Sequence, residues 1–388
     1  MTTRSQRTRR RPGFWAIAPL VGAALAGCGT AASGGAAAPP APAGTVALAT
    51  SMTTAGGATW AIVAMGGSAA AENRFWELFT RPAAGEQWEL VTPPGVADNG
   101  GLVAAGGPAS VTVAFLPSQG LTFSPLAVTS DVGKTWNTGL LDGPAASVPD
   151  ALAAGDGTML ALLANGSVEQ STAAGTNWTR LAAPGAIASS ATGHQCQVTS
   201  LTAVADTPSG TPLAAASCAR PGTVGIFARA GDTWQAAGPV LAGTLAARPV
   251  TVLRLTGTAT EDTALLQAGT GSAASLLAAW TSDGAHWTVS SPVAEGSAPV
   301  TASGAGPGGA AWVLLADGRA YAISGSGAAW HQLPAPPPAT AALAPGPGDT
   351  FEALAATGGT LTVYRLSAAG AWNKFQALSV PIQYGSSS

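Results

Sequence analysis

From Thr45 onward the chain alternates between apolar and small or polar positions. Leu, Ala and Val alternate with small or polar residues, and turn residues interrupt the pattern every 6–12 positions. Short alternating runs bounded by Gly, Pro, Asn and Asp predict β-strands. One stretch reads PVTASGAG, AAWVLLADG, RAYAISGSG, AAWHQLP, and the next TAALAPGPGD, TFEALAATGG, TLTVYRLSAAG, AWNKFQAL. Near the start the same parse gives TVALATS, TWAIVAMGG, RFWELFTRPAAG, EQWELVTP. Each stretch is four short strands. Asn165-Gly166, Ala316-Asp317-Gly318 and Gly358-Gly359 separate strands within such units. Asn-Gly and Asp-Gly make tight hairpin turns because both central residues tolerate positive φ. Helical spacing of apolar residues is almost absent, so the expected fold class is all-β.

A longer period overlies the alternation. Trp88, Trp136, Trp178, Trp234, Trp287, Trp330 and Trp372 are separated by 48, 42, 56, 53, 43 and 42 residues. Gly85, Gly133, Gly175, Gly231, Gly284 and Gly327 stand three residues before their tryptophans, and Gly370 stands two before Trp372. One glycine turn and one aromatic per unit of this length predict a seven-bladed β-propeller of four-stranded antiparallel blades over residues 45–388. Thr45–Ser51 is the expected innermost strand of the first blade. Ser379–Tyr384 has alternating Val380, Ile382 and Tyr384, which suits an edge strand that ties the ends together. The alternative is a last strand at Trp372–Leu378 followed by a loose tail.

The first 27 residues differ from the rest. Arg4, Arg7, Arg9, Arg10 and Arg11 precede a short apolar run, Phe14 to Ala26, as in an export signal. The run is shorter than the roughly 20 apolar residues of a membrane span. It ends Leu25-Ala26-Gly27-Cys28, which resembles the bacterial lipobox, with cleavage before the cysteine and a lipid on its thiol. An ordinary secretory signal is the alternative. The twin-arginine route fits poorly, because Pro12 and Gly13 follow the arginines. Residues 28–44 follow as a lipidated cysteine and an Ala/Pro/Gly tether too poor in apolar side chains to order itself. The resemblance implies an extracytoplasmic protein held on the bacterial cell membrane through Cys28.

Removing residues 1–27 takes five of the 16 basic residues and none of the 19 acidic ones, leaving a formal charge of −8. No basic patch is left for a phosphate backbone, so nucleic acid is excluded as a partner. Cys196 and Cys218 are the cysteines beyond Cys28. Cys196 is expected to begin an extended run and Cys218 to end its partner. The turn chemistry of Asp206 to Gly210 lies between them and would bring the sulfurs together. Two buried free thiols are the alternative. Metal binding is not expected, because no His or Cys neighbour completes a ligand set.

The most specific motif is Thr129-Ser130-Asp131-Val132-Gly133-Lys134-Thr135-Trp136. A shortened copy runs from Thr281 through Asp283 and Gly284 to Trp287, and a degenerate one from Ser171 to Trp178 lacks the Asp. These turns resemble the Asp-box of the sialidase-like (BNR) propellers, which include sortilin-type receptor domains, some glucanases and a photosystem assembly factor. In those families the box lies on the blade periphery. The resemblance therefore implies a structural role for Asp131 and Asp283, with the Trp packed over its own hairpin.

The sialidase chemistry itself needs three arginines on a carboxylate, a Tyr–Glu pair and an acid/base Asp. The first blade carries Asn73-Arg74-Phe75-Trp76 in place of the family's Phe/Tyr-Arg-Ile-Pro motif. Tyr321 and Tyr364 fall mid-strand, and His194, His286 and His331 are isolated. No hydrolase elbow or phosphate loop is present. No cofactor is expected, and the chain reads as a monomeric binding or scaffolding module for an envelope protein or glycan. The alternative is a sialidase-like or other glycoside hydrolase. The expected ligand face is formed by the turns between second and third strands and by the links between blades. It carries Glu72, Asn73, Arg74, Asp98, Asn99, Asp142, Asp150, His194, Arg220, Asp317 and Arg319.

Overall fold

The computed structural model describes residues 51–65, 75–85, 87–93, 101–115, 126–139, 149–155, 157–172, 175, 177–258, 260–346, 350–357 and 360–379. Within them the chain folds as successive antiparallel meanders. The first is β1 (Ser51–Ala55), β2 (Ala58–Met65), β3 (Phe75–Arg81) and β4 (Glu89–Leu90). The second is β5 (Gly101–Ala105), β6 (Val111–Phe115), β7 (Leu126–Thr129) and β8 (Asn137–Gly139). The third is β9 (Ala151–Ala154), β10 (Thr158–Leu162), β11 (Val168–Thr172) and β12 (Trp178–Ala182). A short helix, α1 (Ala191–Cys196), leads to the fourth. This comprises β13 (Val198–Asp206), β14 (Pro212–Cys218), β15 (Gly225–Ala230) and β16 (Thr233–Ala236).

The fifth is β17 (Val250–Gly257), β18 (Asp262–Ala268), β19 (Ser275–Thr281) and β20 (Thr288–Val289), with β21 (Val293–Ala294) also paired to β19. The sixth is β22 (Val300–Ala305), β23 (Ala311–Leu315), β24 (Ala320–Ile323) and β25 (His331–Leu333). The last is β26 (Thr340–Pro345), β27 (Phe351–Thr357), β28 (Thr360–Leu366) and β29 (Trp372–Leu378). Five meanders form separate four-stranded sheets. The fourth and fifth share one sheet of nine strands, because the end of β14 also pairs with the start of β17.

The innermost position of the first meander is filled by Ser51–Ala55. Of the strand expected over residues 45–51, Ser51 alone falls among the described residues. The turn that sets this register is Gly56-Gly57, with φ of 55° and 82°, a conformation glycine adopts without steric cost. The edge strand expected over residues 379–384 lies, beyond Ser379, outside the described residues.

First strands touch in sequence order, β1 to β5, β9, β13, β17, β22 and β26, and β26 touches β1. They are rich in Ala, Gly, Thr and Ser, which lets neighbouring backbones approach. The core is correspondingly divided into a series of layers between adjacent meanders. Trp60, Ile62 and Leu78 pack on Val103, Val111 and Val113; Leu343 and Ala353 pack on Trp312 and Leu314. Burying each Leu or Val contributes about 1.5–3 kcal/mol.

The first and last meanders are joined by charge as well. Glu352, fully buried on β27, accepts from Arg81 Nε at 3.2 Å and from Arg365 Nη2 at 2.8 Å. Arg81 also donates to Thr59 Oγ1 at 2.7 Å. Arg365 stacks on Phe375, 3.8 Å from its ring centroid. Nearby, the Gln376 side chain accepts from Trp88 N at 2.8 Å and donates to Trp88 O at 2.9 Å.

Candidate functional site

A four-strand meander has two ends. The turns between strands one and two and between strands three and four lie at one end. The turn between strands two and three lies at the other, with the exit toward the next meander. The two ends carry different chemistry here.

At the first end the acidic turns are closed. Asp131 Oδ1 accepts from Thr129 Oγ1 at 2.8 Å and Thr135 N at 2.9 Å, and its Oδ2 from Thr135 Oγ1 at 2.6 Å. Gly133, at φ 81°, donates its N–H to Thr129 Oγ1. These bonds, the Thr135 hydroxyl foremost, hold the Asp131 carboxyl at about 2. Asp283 Oδ1 accepts from His286 N at 2.8 Å, Ala285 N at 2.9 Å and Thr281 Oγ1 at 3.0 Å. Its Oδ2 meets His286 Nδ1 at 2.6 Å. The carboxyl lies well below its ordinary range, through the His286 backbone and ring bonds first, and the same bond raises the imidazole.

The tryptophans beside these turns do more than cover their own hairpins. Trp136 and Trp178 donate their indole N–H to Gly133 O and Gly175 O, within the turn. Trp287 instead donates to Ala237 O at 2.6 Å, Trp330 to Ser290 Oγ at 3.1 Å and Trp372 to Pro334 O at 3.0 Å. Ala237, Ser290 and Pro334 each directly follow the fourth strand of the preceding meander. Trp136 packs with Val91, which holds the same place after β4. A groove of about 300 Å³ lies here, lined by residues 89–92, Val132, Gly133, Lys134 and Trp136.

At the opposite end, turns and links of meanders three to six are laced together. Arg220 N donates to Cys196 O, Gly222 N to Arg248 O, and Arg248 Nη1 to Ala273 O at 2.6 Å. Arg319 donates to Asp317 Oδ2 at 2.7 Å, to Glu295 O at 2.7 Å and to Tyr321 Oη at 3.2 Å. The Asp317 carboxyl is lowered, first by the Arg319 backbone N–H. Glu295 is buried and accepts from Gln267 Nε2. Arg220 and His194 are exposed, and Arg248 and Arg319 half-buried.

Cys196 and Cys218 form a disulfide with a Cα separation of 5.0 Å. The local structure differs from the symmetric hairpin expected. Cys196 ends α1, capped by Ser190 Oγ accepting from Gly193 N at 3.0 Å, and the strand starts at Val198, which is the residue opposite Cys218. The bond thus pins a helix to the place where β14 meets both β13 and β17. Asp150 is exposed before β9, its carboxyl raised by desolvation. Glu72, Asn73, Arg74, Asp98, Asn99, Asp142 and Cys28 lie outside the described residues.

Two groups were not singled out in the sequence. Arg254 sits mid-strand on β17 and donates to Ser303 O of β22 at 3.0 Å and to Leu253 O at 2.9 Å. It is open to solvent, yet burial lowers its pKa. Among the described residues of the first strands the only other charge is Asp206, at the end of β13. Asp206 faces the fully buried Asp262, whose carboxyl is pushed up to about 7 by desolvation first and then by Asp206 and Glu261.

No protein-family model matches the chain, and no curated protein matches its sequence. Solved structures match over most of its length. A GH74 xyloglucanase from Xanthomonas campestris is 14% identical with a TM-score of 0.53, over 82% of this chain and 52% of that one, so the chain spans about half of that enzyme. A 6-phosphogluconolactonase-like protein from Bacteroides uniformis is 12% identical with a TM-score of 0.52, over 82% of this chain and 96% of that one. YCF48 from Cyanidioschyzon merolae is 15% identical with a TM-score of 0.46, over 84% of this chain and 94% of that one. At such identities the likeness is one of fold: the chain is an all-β, propeller-like protein built mostly of four-stranded antiparallel sheets.

Proposed function

We propose that the chain is a lipid-anchored, extracytoplasmic seven-bladed β-propeller that binds a protein or glycan of the cell envelope. Each meander is one blade, the closed acidic turns are Asp-boxes, and Cys28 carries the lipid. The observation that carries the binding role is the distribution of charge at the end holding the inter-blade links. Arg220 and His194 present exposed donors there beside the half-buried Arg248, while Glu295 is buried and Arg319 and Asp317 engage each other. A cationic, donor-rich rim on a chain of net negative charge suits a partner that presents carboxylates.

A glycoside hydrolase would need two carboxylates facing open space. Of the Asp206 and Asp262 pair, Asp262 is shut from solvent. The arginines do not supply a sialidase clamp among the described residues. Arg81 and Arg365 converge on buried Glu352, and Arg319 is spent on Asp317. Tyr321 Oη takes its bond from Arg319, not from a glutamate.

Affinity capture from the protein's own envelope tests the binding role. Arg220→Ala with His194→Ala should lose the captured partner while keeping the wild-type melting temperature, since both side chains are exposed. Capture unchanged by the double variant, or turnover of a glycoside substrate by the purified protein, would overturn it. For the anchor, Cys28→Ser should leave the membrane or stay unprocessed; identical retention and mature mass would refute the lipid.

A further inference from the structure

We propose that Asp206 and Asp262 form an interior binding site for a hard divalent cation, calcium above magnesium, where the third, fourth and fifth meanders meet. The position is set by backbone contacts. Asp206 closes β13, Asp262 opens β18, and Gly257, the cross-strand partner of Asp262, closes β17. A Cβ on Gly257 would lie 1.7 Å from the Asp206 carbonyl oxygen and 3.1 Å from Asp262 Oδ1. Those two oxygens are therefore less than about 5 Å apart, a span that one ion with ~2.3–2.6 Å oxygen distances can bridge.

The orphaned atoms point to a ligand. Asp262 is fully buried, and neither of its carboxylate oxygens has a hydrogen-bond partner among the described residues. Asp206 Oδ1 is likewise buried without one. Asp206 Oδ2 is held by Thr158 Oγ1 of β10 at 2.5 Å, which steers the other oxygen. The charges that act on Asp262 are Asp206 and Glu261, both negative. A fully buried carboxylate facing the buried oxygen of a half-buried one disfavours two ionised groups without a cation; such a pair takes up a proton or a metal. The donors are all oxygen, which suits calcium or magnesium rather than zinc or copper. No third carboxylate, His or Cys joins the pair among the described residues. The remaining ligands would be a peptide carbonyl and water, an irregular set that calcium accepts and octahedral magnesium does not.

The test is calorimetric titration of calcium chloride, then magnesium chloride, into purified protein stripped with a chelator near neutral pH. Melting temperatures are followed alongside. Wild type should bind one calcium ion, more tightly than magnesium, and melt higher with it. Asp262→Asn and Asp206→Asn should each lose the heat and the calcium-dependent rise. Asp262→Asn without calcium should melt above stripped wild type, since the amide removes a buried like charge. The absence of calcium heat in wild type, with a melting temperature that falls as pH rises from 6 to 8, would overturn the proposal in favour of a shared proton. Unaltered calcium binding in both variants would place the ion elsewhere and overturn it equally. Should one variant fail to fold, the other and the wild-type titration still decide.

Discussion

Asp131 shows how much a single side chain can tell about acid stability. Its folded pKa of about 2 lies below the ordinary 3.8, so the unfolded chain takes the proton first as acid is added. The contribution is therefore complete above about pH 4 and disappears as pH falls toward 2. Asp131→Asn should flatten that part of the profile: melts at intervals from pH 5 to 2 should show the variant losing less than wild type. Parallel curves would refute the assignment. His286, with a raised pKa, works in the opposite sense, and its contribution fades as pH rises through its folded value. The Asp131 turn was readable in the sequence because every partner lies within eight residues. Arg254 was not, since the carbonyl that gives it meaning is 49 residues away. Asp206 and Thr158 are 48 apart and were equally silent.

At the level of elements, the period of the tryptophans was legible and their partners were not. Nothing local to Trp287 announces Ala237, which comes 50 residues earlier. Trp287→Phe keeps the apolar ring and removes the N–H, leaving a carbonyl at the junction of two meanders unpaired. Denaturant melts should show a loss of about 0.5–1.5 kcal/mol. A loss near zero would mean that water takes the place of the indole. The strand runs of the sixth and last meanders were legible because short apolar or alternating runs between good turn residues leave little freedom. Helix α1 was hidden because six residues are too few to display a helical period. Ser190 and the disulfide, rather than propensity, define it.

For the whole molecule, the repeats were legible in the sequence, and the tail strand expected to tie their ends lies, beyond Ser379, outside the described residues. Glu352 and Gln376 join the first and last meanders with side chains. Glu352→Gln leaves Arg81, whose side chain is 2% exposed, without its anion, and should cost about 3–5 kcal/mol in urea melts. Arg365→Met should cost less, because that side chain is 29% exposed and screened by solvent. Wild-type stability in Glu352→Gln would show that the closing contact is apolar alone. Each meander is made from one unbroken stretch of chain, so each can assemble as it emerges during synthesis. The seam between first and last is the exception. Arg81 is made some 270 residues before the carboxylate that neutralises it. Until Glu352 arrives, the growing chain carries a cation destined for burial and a first sheet with one face uncovered. A ribosome stalled before that point, or a chain clipped short of it, would leave the junctions among the first six meanders intact and both faces of the last one unfinished. A complete molecule and a truncated one therefore differ in whether that buried cation is neutralised.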